Sequence, residues 1–141
     1  MRCMVLLKAN AESESGALPS QELLEAMGRY NEELVKAGVM HAGEGLKPTS
    51  AGARVRLAGE ARSVERGPFP LDQGVICGFW MFEVASLDDA IAWVKRCPQP
   101  LTGEAEIEIR PLYEMEDFGD AMTPELRAQE DRLRTGIESK S

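Results

Sequence analysis

The sequence is poor in the residues that acid–base and metal chemistry recruit most often. Across 141 residues it has a single histidine, His41, and three cysteines, Cys3, Cys77 and Cys97. The cysteines are far apart, odd in number and without metal-type spacing. Each lies in or beside an apolar segment, which predicts buried free thiols in a reducing compartment. No stretch follows a glycine-rich phosphate-loop pattern, and no serine, histidine and aspartate are arranged as a nucleophilic triad. No metal and no cofactor are expected on these grounds. Long apolar runs are also absent. Cys3 to Leu7 is interrupted at once by Lys8, far too short for a signal peptide or a membrane span. Positive charge is scarce as well: a formal charge of -8 at pH 7 argues against nucleic acid, whose binders carry basic patches. The expected setting is cytoplasmic, with no membrane and no nucleic-acid partner.

What is present suits one globular domain. A hydrophobic share of 43% supports a core without disulfide staples. The stretch Gly67-Pro68-Phe69, followed by Pro70 and Gly74, combines residues that break regular backbone, and predicts a shaped loop. Behind it, Val75 to Val84 is the most apolar strand candidate. If a pocket exists, this loop is expected to line it.

Taken in order, Arg2 to Ala9 reads as a strand and Asn10 to Pro19 as a mobile loop. Ser20 reads as the N-cap of an amphipathic helix with Leu23, Met27, Tyr30 and Leu34 inward, broadened by Leu24 and Val35, and stopped by Gly38. Val39 to Leu46 is a short strand and Lys47 to Gly52 a turn-rich link. Ala53 to Ala58 and Ala61 to Glu65 form a hairpin with one wet face. After the central strand, Ser86 caps a second helix, with Leu87, Ala90, Ile91 and Val94 inward, that ends before Pro98. Glu104 to Tyr113 alternates as a last strand. The tail from Glu114 is charged, and Thr123-Pro124 starts a helix with a thin stripe of Leu126, Leu133 and Ile137. The expected organisation is a domain over residues 1–113 and an acidic extension over 114–141.

This order predicts an α+β fold: a ferredoxin-like βαββαβ sandwich with an inserted hairpin and a C-terminal helical extension. Helices cover one sheet face. The other face also carries apolar residues, so a second copy of the chain is expected to cover it in a homodimer.

Several segments, taken together, resemble the YCII-related (YciI-like, DGPF-domain) family. They are Met4 to Ala9, Glu32 to Gly38, Gly43-Glu44-Gly45-Leu46, Gly67-Pro68-Phe69, Gly78-Phe79-Trp80, Lys95 to Pro98 and Glu106 to Pro111. The tail segments Glu116 to Ala121 and Thr123 to Arg127 resemble a subset of it. The resemblance implies a dimeric α+β barrel. It implies no particular activity, although some relatives resemble lyases or dehalogenases that use a His–Asp pair. This chain departs from that pattern. Arg66 stands where the family usually has Asp before Gly-Pro-Phe. The first helix has Tyr30 and Asn31 near the place of the relatives' histidine.

Several side chains are candidates for a site. His41 titrates near neutrality and could move a proton, while the planar fork of Arg66 could clamp an anion. Glu44, between two glycines, could orient a ligand or pair with Arg66. Phe69, Phe79, Trp80 and Phe82 could form an aromatic wall and Tyr30 could present its hydroxyl to a cavity, although plain core packing explains all five as well. Two principal readings follow. In one, the protein binds a small, anionic organic molecule in a pocket beside the Gly67-Pro68-Phe69 loop. In the other it is a cofactor-free lyase or isomerase, with His41 as acid–base group and Arg66 stabilising developing charge. A partner-docking module linked to transcription regulation and an inert scaffold are further alternatives.

Overall fold

The computed structural model describes residues 1–140. The chain divides into two compact units, Met1–Pro111 and the segment from Leu112 onward.

The first unit contains strands β1 (Arg2–Lys8), β2 (Met40–Gly45), β3 (Ala53–Ala58), β4 (Ala61–Arg66), β5 (Ile76–Glu83) and β6 (Ile107–Pro111). Its helices are α1 (Ala11–Glu14), α2 (Gln21–Lys36) and α3 (Leu87–Lys95). Four strands form an antiparallel sheet in the order β2-β5-β1-β6. This is the ferredoxin-like order, with β3 and β4 forming a separate ribbon. The fold is α+β, as the order of elements predicts.

Alternation decides which residues meet. Cys3, Val5 and Leu7 of β1 lie opposite Phe82, Trp80 and Gly78 of β5, and all six are buried. Tyr30 and Leu34 of α2 and Ala90 of α3 join this core. Met4 and Leu6 pair with Met81 and Phe79 on the opposite face, where they are half-buried. Caps set the helix starts. The Ser20 hydroxyl accepts from the Leu23 amide at 3.1 Å, and that of Ser86 from the Asp89 amide at 3.1 Å. Each satisfies a donor that the first turn cannot. Gly38, at φ +73°, ends α2 in the left-handed region.

Four expectations need correction. The segment after β1 is not simply a loop: Asn10 accepts from the Ser13 amide, Ser13 returns the bond, and this capping box folds α1. Leu24 and Val35 do not broaden the buried stripe; they are 59% and 62% exposed. In α3, Leu87 and Ile91 also reach solvent, leaving Ala90 as the buried contact. The β3–β4 ribbon is wet on both faces, because register places Val55 opposite Val64 while both, with Leu57, are 58–68% exposed.

The Gly67-Pro68-Phe69 bend is built on one close approach. Gly67 donates its amide to the Gly52 carbonyl at 3.0 Å. A Cβ at Gly67 would fall 1.7 Å from the Thr49 carbonyl oxygen. Only glycine fits there, since the obstacle is backbone.

In the second unit, Tyr113 and Phe118 stack at 5.3 Å beside a 3-10 segment, Met115–Ala121. Helix α4 (Pro124–Glu138) follows, capped by Thr123 with proline at its start. Its stripe of Leu126, Leu133 and Ile137 is exposed. No described helix is long and apolar enough to cross a membrane.

Gly67→Ala should cost about 3 kcal/mol, the upper end of the usual range for forced overpacking. A urea unfolding midpoint that stays at the wild-type value would show that the bend can shift and that the tight contact is not needed.

Candidate functional site

A hollow of about 810 Å³ opens on the helix-covered side of the sheet. Its floor follows from three glycines. Gly45 of β2 lies opposite Gly78 of β5, and Gly43 lies opposite Trp80. A Cβ at Gly45 would meet nothing within 4 Å, so the space above that position is part of the hollow. At Gly43 a Cβ would strike Trp80 Cδ1 at 2.9 Å and Met40 Cε at 2.8 Å. The glycine there makes room for the indole.

The walls are mainly apolar. Leu18 and Pro19 precede α2, Leu23 and Met27 come from α2, and Leu101 closes another side. Two polar side chains meet at the inner edge. The Trp80 indole N–H donates to Asn31 Oδ1 at 3.0 Å, and both residues line the hollow. The acidic and basic side chains on its border are those of Glu12, Glu44 and Lys47, all exposed. Register places Glu44 opposite Phe79, on alternate positions to Gly43 and Gly45, so its side chain belongs to the other sheet face.

Of the candidate site residues read from the sequence, Glu44, Phe79 and Trp80 border the hollow, and Tyr30, His41, Arg66, Phe69 and Phe82 do not. Tyr30 is buried; its hydroxyl donates to the Trp93 carbonyl at 2.7 Å, and its ring meets Trp80 edge-on at 6.1 Å. It holds α2 against α3 and steadies the indole. His41 falls where the β2–β5 register slips between Met40 and Ala42. That bulge aims it outward, with Nε2 at 3.7 Å from Glu83 Oε2 and both side chains about half exposed. Arg66 ends β4 and is exposed. The structure therefore pairs His41 with Glu83 and not with Glu44 or Arg66.

The breaker-rich loop does not line the hollow, contrary to expectation. It is fastened nearby instead. Phe69 is buried under the Arg54 guanidinium, 4.0 Å from the ring centre. Arg54 also donates to the side chain and backbone carbonyl of Gln73 at 3.0 and 3.1 Å. The Phe69 amide donates to Thr49 Oγ1 at 2.9 Å. Thr49 in turn donates through its amide and hydroxyl to the two carboxylate oxygens of Glu14, at 3.0 and 2.5 Å. The bend thus reaches α1, whose Glu12 and Ser13 form one wall. Sequence reasoning missed Thr49 and Arg54, and placed Asn31 only near the position of the relatives' histidine, without a role.

Burial raises all three thiols above the ordinary cysteine range, so none is an activated thiolate. Among the described residues, no group of three or more His, Cys, Asp or Glu could hold a metal ion.

The model of the YCII-related domain matches residues 1–116. An uncharacterized protein of Rhizobium meliloti is 27% identical over 106 residues, covering 73% of this chain and 86% of its own. A solved structure of a 5-chloro-2-hydroxyhydroquinone dehydrochlorinase from Burkholderia phenoliruptrix, in complex with 2,5-dihydroxybenzoquinone, is similar over 82% of this chain and 98% of its own. The two are 17% identical, and the TM-score is 0.42.

Desolvation raises the Tyr30 phenol and lifts the Cys97 thiol from 9.0 to about 11. Both groups are neutral when protonated, so the unfolded chain ionises first as pH rises. The stability that Cys97 contributes is present below pH 9 and declines between pH 9 and about 11, while that of Tyr30 declines only from about pH 10 upward. Cys97→Ala should flatten that decline in urea midpoints. An identical slope in wild type and variant would remove Cys97 from the account.

Proposed function

The chain belongs to the YCII-related family, and from that premise we propose that it binds a small, largely apolar organic molecule in the glycine-floored hollow. The observation that carries this reading is the pair Gly45 and Gly78. Two facing strand positions lack side chains where the core would otherwise be filled, beneath apolar walls that enclose about 810 Å³. Hollows of this size with a few convergent polar groups are the usual form of a ligand site.

The charge on the border favours a neutral ligand. Glu12 and Lys47 offset one another, and Arg66, on which an anionic ligand would depend, is not in the lining. An acid–base role for His41 with Arg66 as clamp draws no support from this geometry. Glu44 and Trp80 keep a place in the proposal as border and wall, with Tyr30 behind the wall and Phe69 in the loop fastened to it.

A homodimer is the second part of the proposal. The half-buried row of Met4, Leu6, Phe79 and Met81 on the sheet face away from the helices supports it, since such a row is stabilised when a second sheet covers it.

Two experiments test these parts. The neutral dye Nile red should bind with a large gain in fluorescence, and the anionic dye resorufin should bind at least several-fold more weakly. Gly45→Leu should keep the circular dichroism spectrum and abolish Nile red binding, because its side chain grows into open space. Undiminished binding in that variant would place the dye elsewhere and sink the proposal. Sedimentation should give twice the 15.5 kDa chain mass, and Leu6→Glu should halve it. A wild-type protein that sediments as a monomer would end the dimer part.

A further inference from the structure

We infer that Asn31 reads the ligand: its side-chain NH2 donates to a carbonyl oxygen on a flat molecule lying over the glycine floor. The inference rests on the hollow being the binding site and says which chemistry that site selects.

The chemistry of the Trp80–Asn31 pair forces the orientation of the amide. An indole N–H is a donor only. The Asn31 atom facing it at 3.0 Å must therefore be the oxygen, Oδ1. That leaves the NH2 group turned away from Trp80, on a residue that lines the hollow. Nδ2 has no hydrogen-bond partner among the described residues, although Asn31 is half-buried. Side-chain amide donors in such a place are satisfied by water or by a ligand.

The indole itself is fixed. Trp80 is buried, its ring is met edge-on by Tyr30 at 6.1 Å and 89°, and Tyr30 is tied to the Trp93 carbonyl at 2.7 Å. The donor is therefore pre-oriented, which lowers the cost of using it on binding. Trp80 and Tyr30 are positioning residues here, and Asn31 is the group that touches the ligand.

The shape of the floor sets the rest. Gly45 and Gly78 present peptide planes and no side chains, so a flat ring can approach the sheet closely there. The apolar walls favour an uncharged ring system. Together these features select a planar, apolar carbonyl compound over the matching hydrocarbon.

Indanone and indane share a flat bicyclic frame and differ in one carbonyl, so they serve as probes. Titrations followed by nuclear magnetic resonance should show indanone binding roughly three- to tenfold tighter than indane, the range for one hydrogen bond. The Asn31 side-chain amide protons should shift with indanone and stay in place with indane. Asn31→Asp keeps an acceptor for the Trp80 N–H but removes the donors. It should erase the preference, read as the ratio of the two affinities within the variant. Equal affinities in the wild type, or an intact preference in Asn31→Asp, would overturn the inference and leave the hollow as a binding site. If neither probe moves any resonance around the hollow, the binding-site reading fails and this inference fails with it.

Discussion

One buried donor governs the arrangement. Trp80 stands on the central strand with its indole under the helices, and its N–H must find an acceptor. Leaving it unpaired would cost about 1–3 kcal/mol. Asn31 on α2 supplies that acceptor, and this fixes the helix in rotation and height over the sheet. The same indole dictates the residue opposite it: any side chain at Gly43 would strike Cδ1. Tyr30, one residue before Asn31, closes the arrangement by meeting the ring edge-on and bonding to the end of α3. One large side chain thus sets a helix, requires a glycine and borders the hollow that the neighbouring glycines leave open.

The breaker-rich bend has a different part from the one its composition suggests. Its residues are spent on holding pieces together. Gly67 permits backbone contact with Thr49, Phe69 is covered by Arg54, and Thr49 carries the connection on to Glu14. The links tie the bend to β3 through Arg54 and to α1 through Thr49 and Glu14. The bonds within this network are partly buried at Thr49 and exposed at Arg54, so its strength lies in several modest bonds acting together. A wall of the hollow therefore depends on a loop that does not touch the hollow.

Much of the fold was legible. Alternation in β1 and β5, the caps at Ser20, Ser86 and Thr123, and the stop at Gly38 are local signals, and the structure keeps them. The failures are tertiary. Nothing near His41 in sequence announces the slip that turns it outward, because a bulge belongs to a pair of strands. Arg54 read as the polar face of a ribbon, and its partners Phe69 and Gln73 lie 15 and 19 residues away. Leu24 and Val35 fit a helical stripe, yet the stripe that packs is narrower than the one the spacing allows. The site was harder still. A search for chemistry looks for groups that are present, whereas this hollow is made by side chains that are missing at Gly45 and Gly78.

That difference bears on what such a site can do. The chain is acidic overall, at -8, but its charges lie on the surface, and the deepest lining is apolar or backbone. A ligand entering there gives up water and receives few ionic contacts in return. An anion would be poorly compensated, since Lys47 is exposed at the border and Arg66 lies outside it. Burying a charge without a partner costs far more than burying a ring. Selection must then rest on shape and on hydrogen bonds whose direction is already set. A fixed donor discriminates well for the reason that made Trp80 decisive: when a polar group is desolvated, the penalty for leaving it unpaired exceeds the gain from pairing it. Rejection of molecules lacking an acceptor at that point is the stronger half of such recognition.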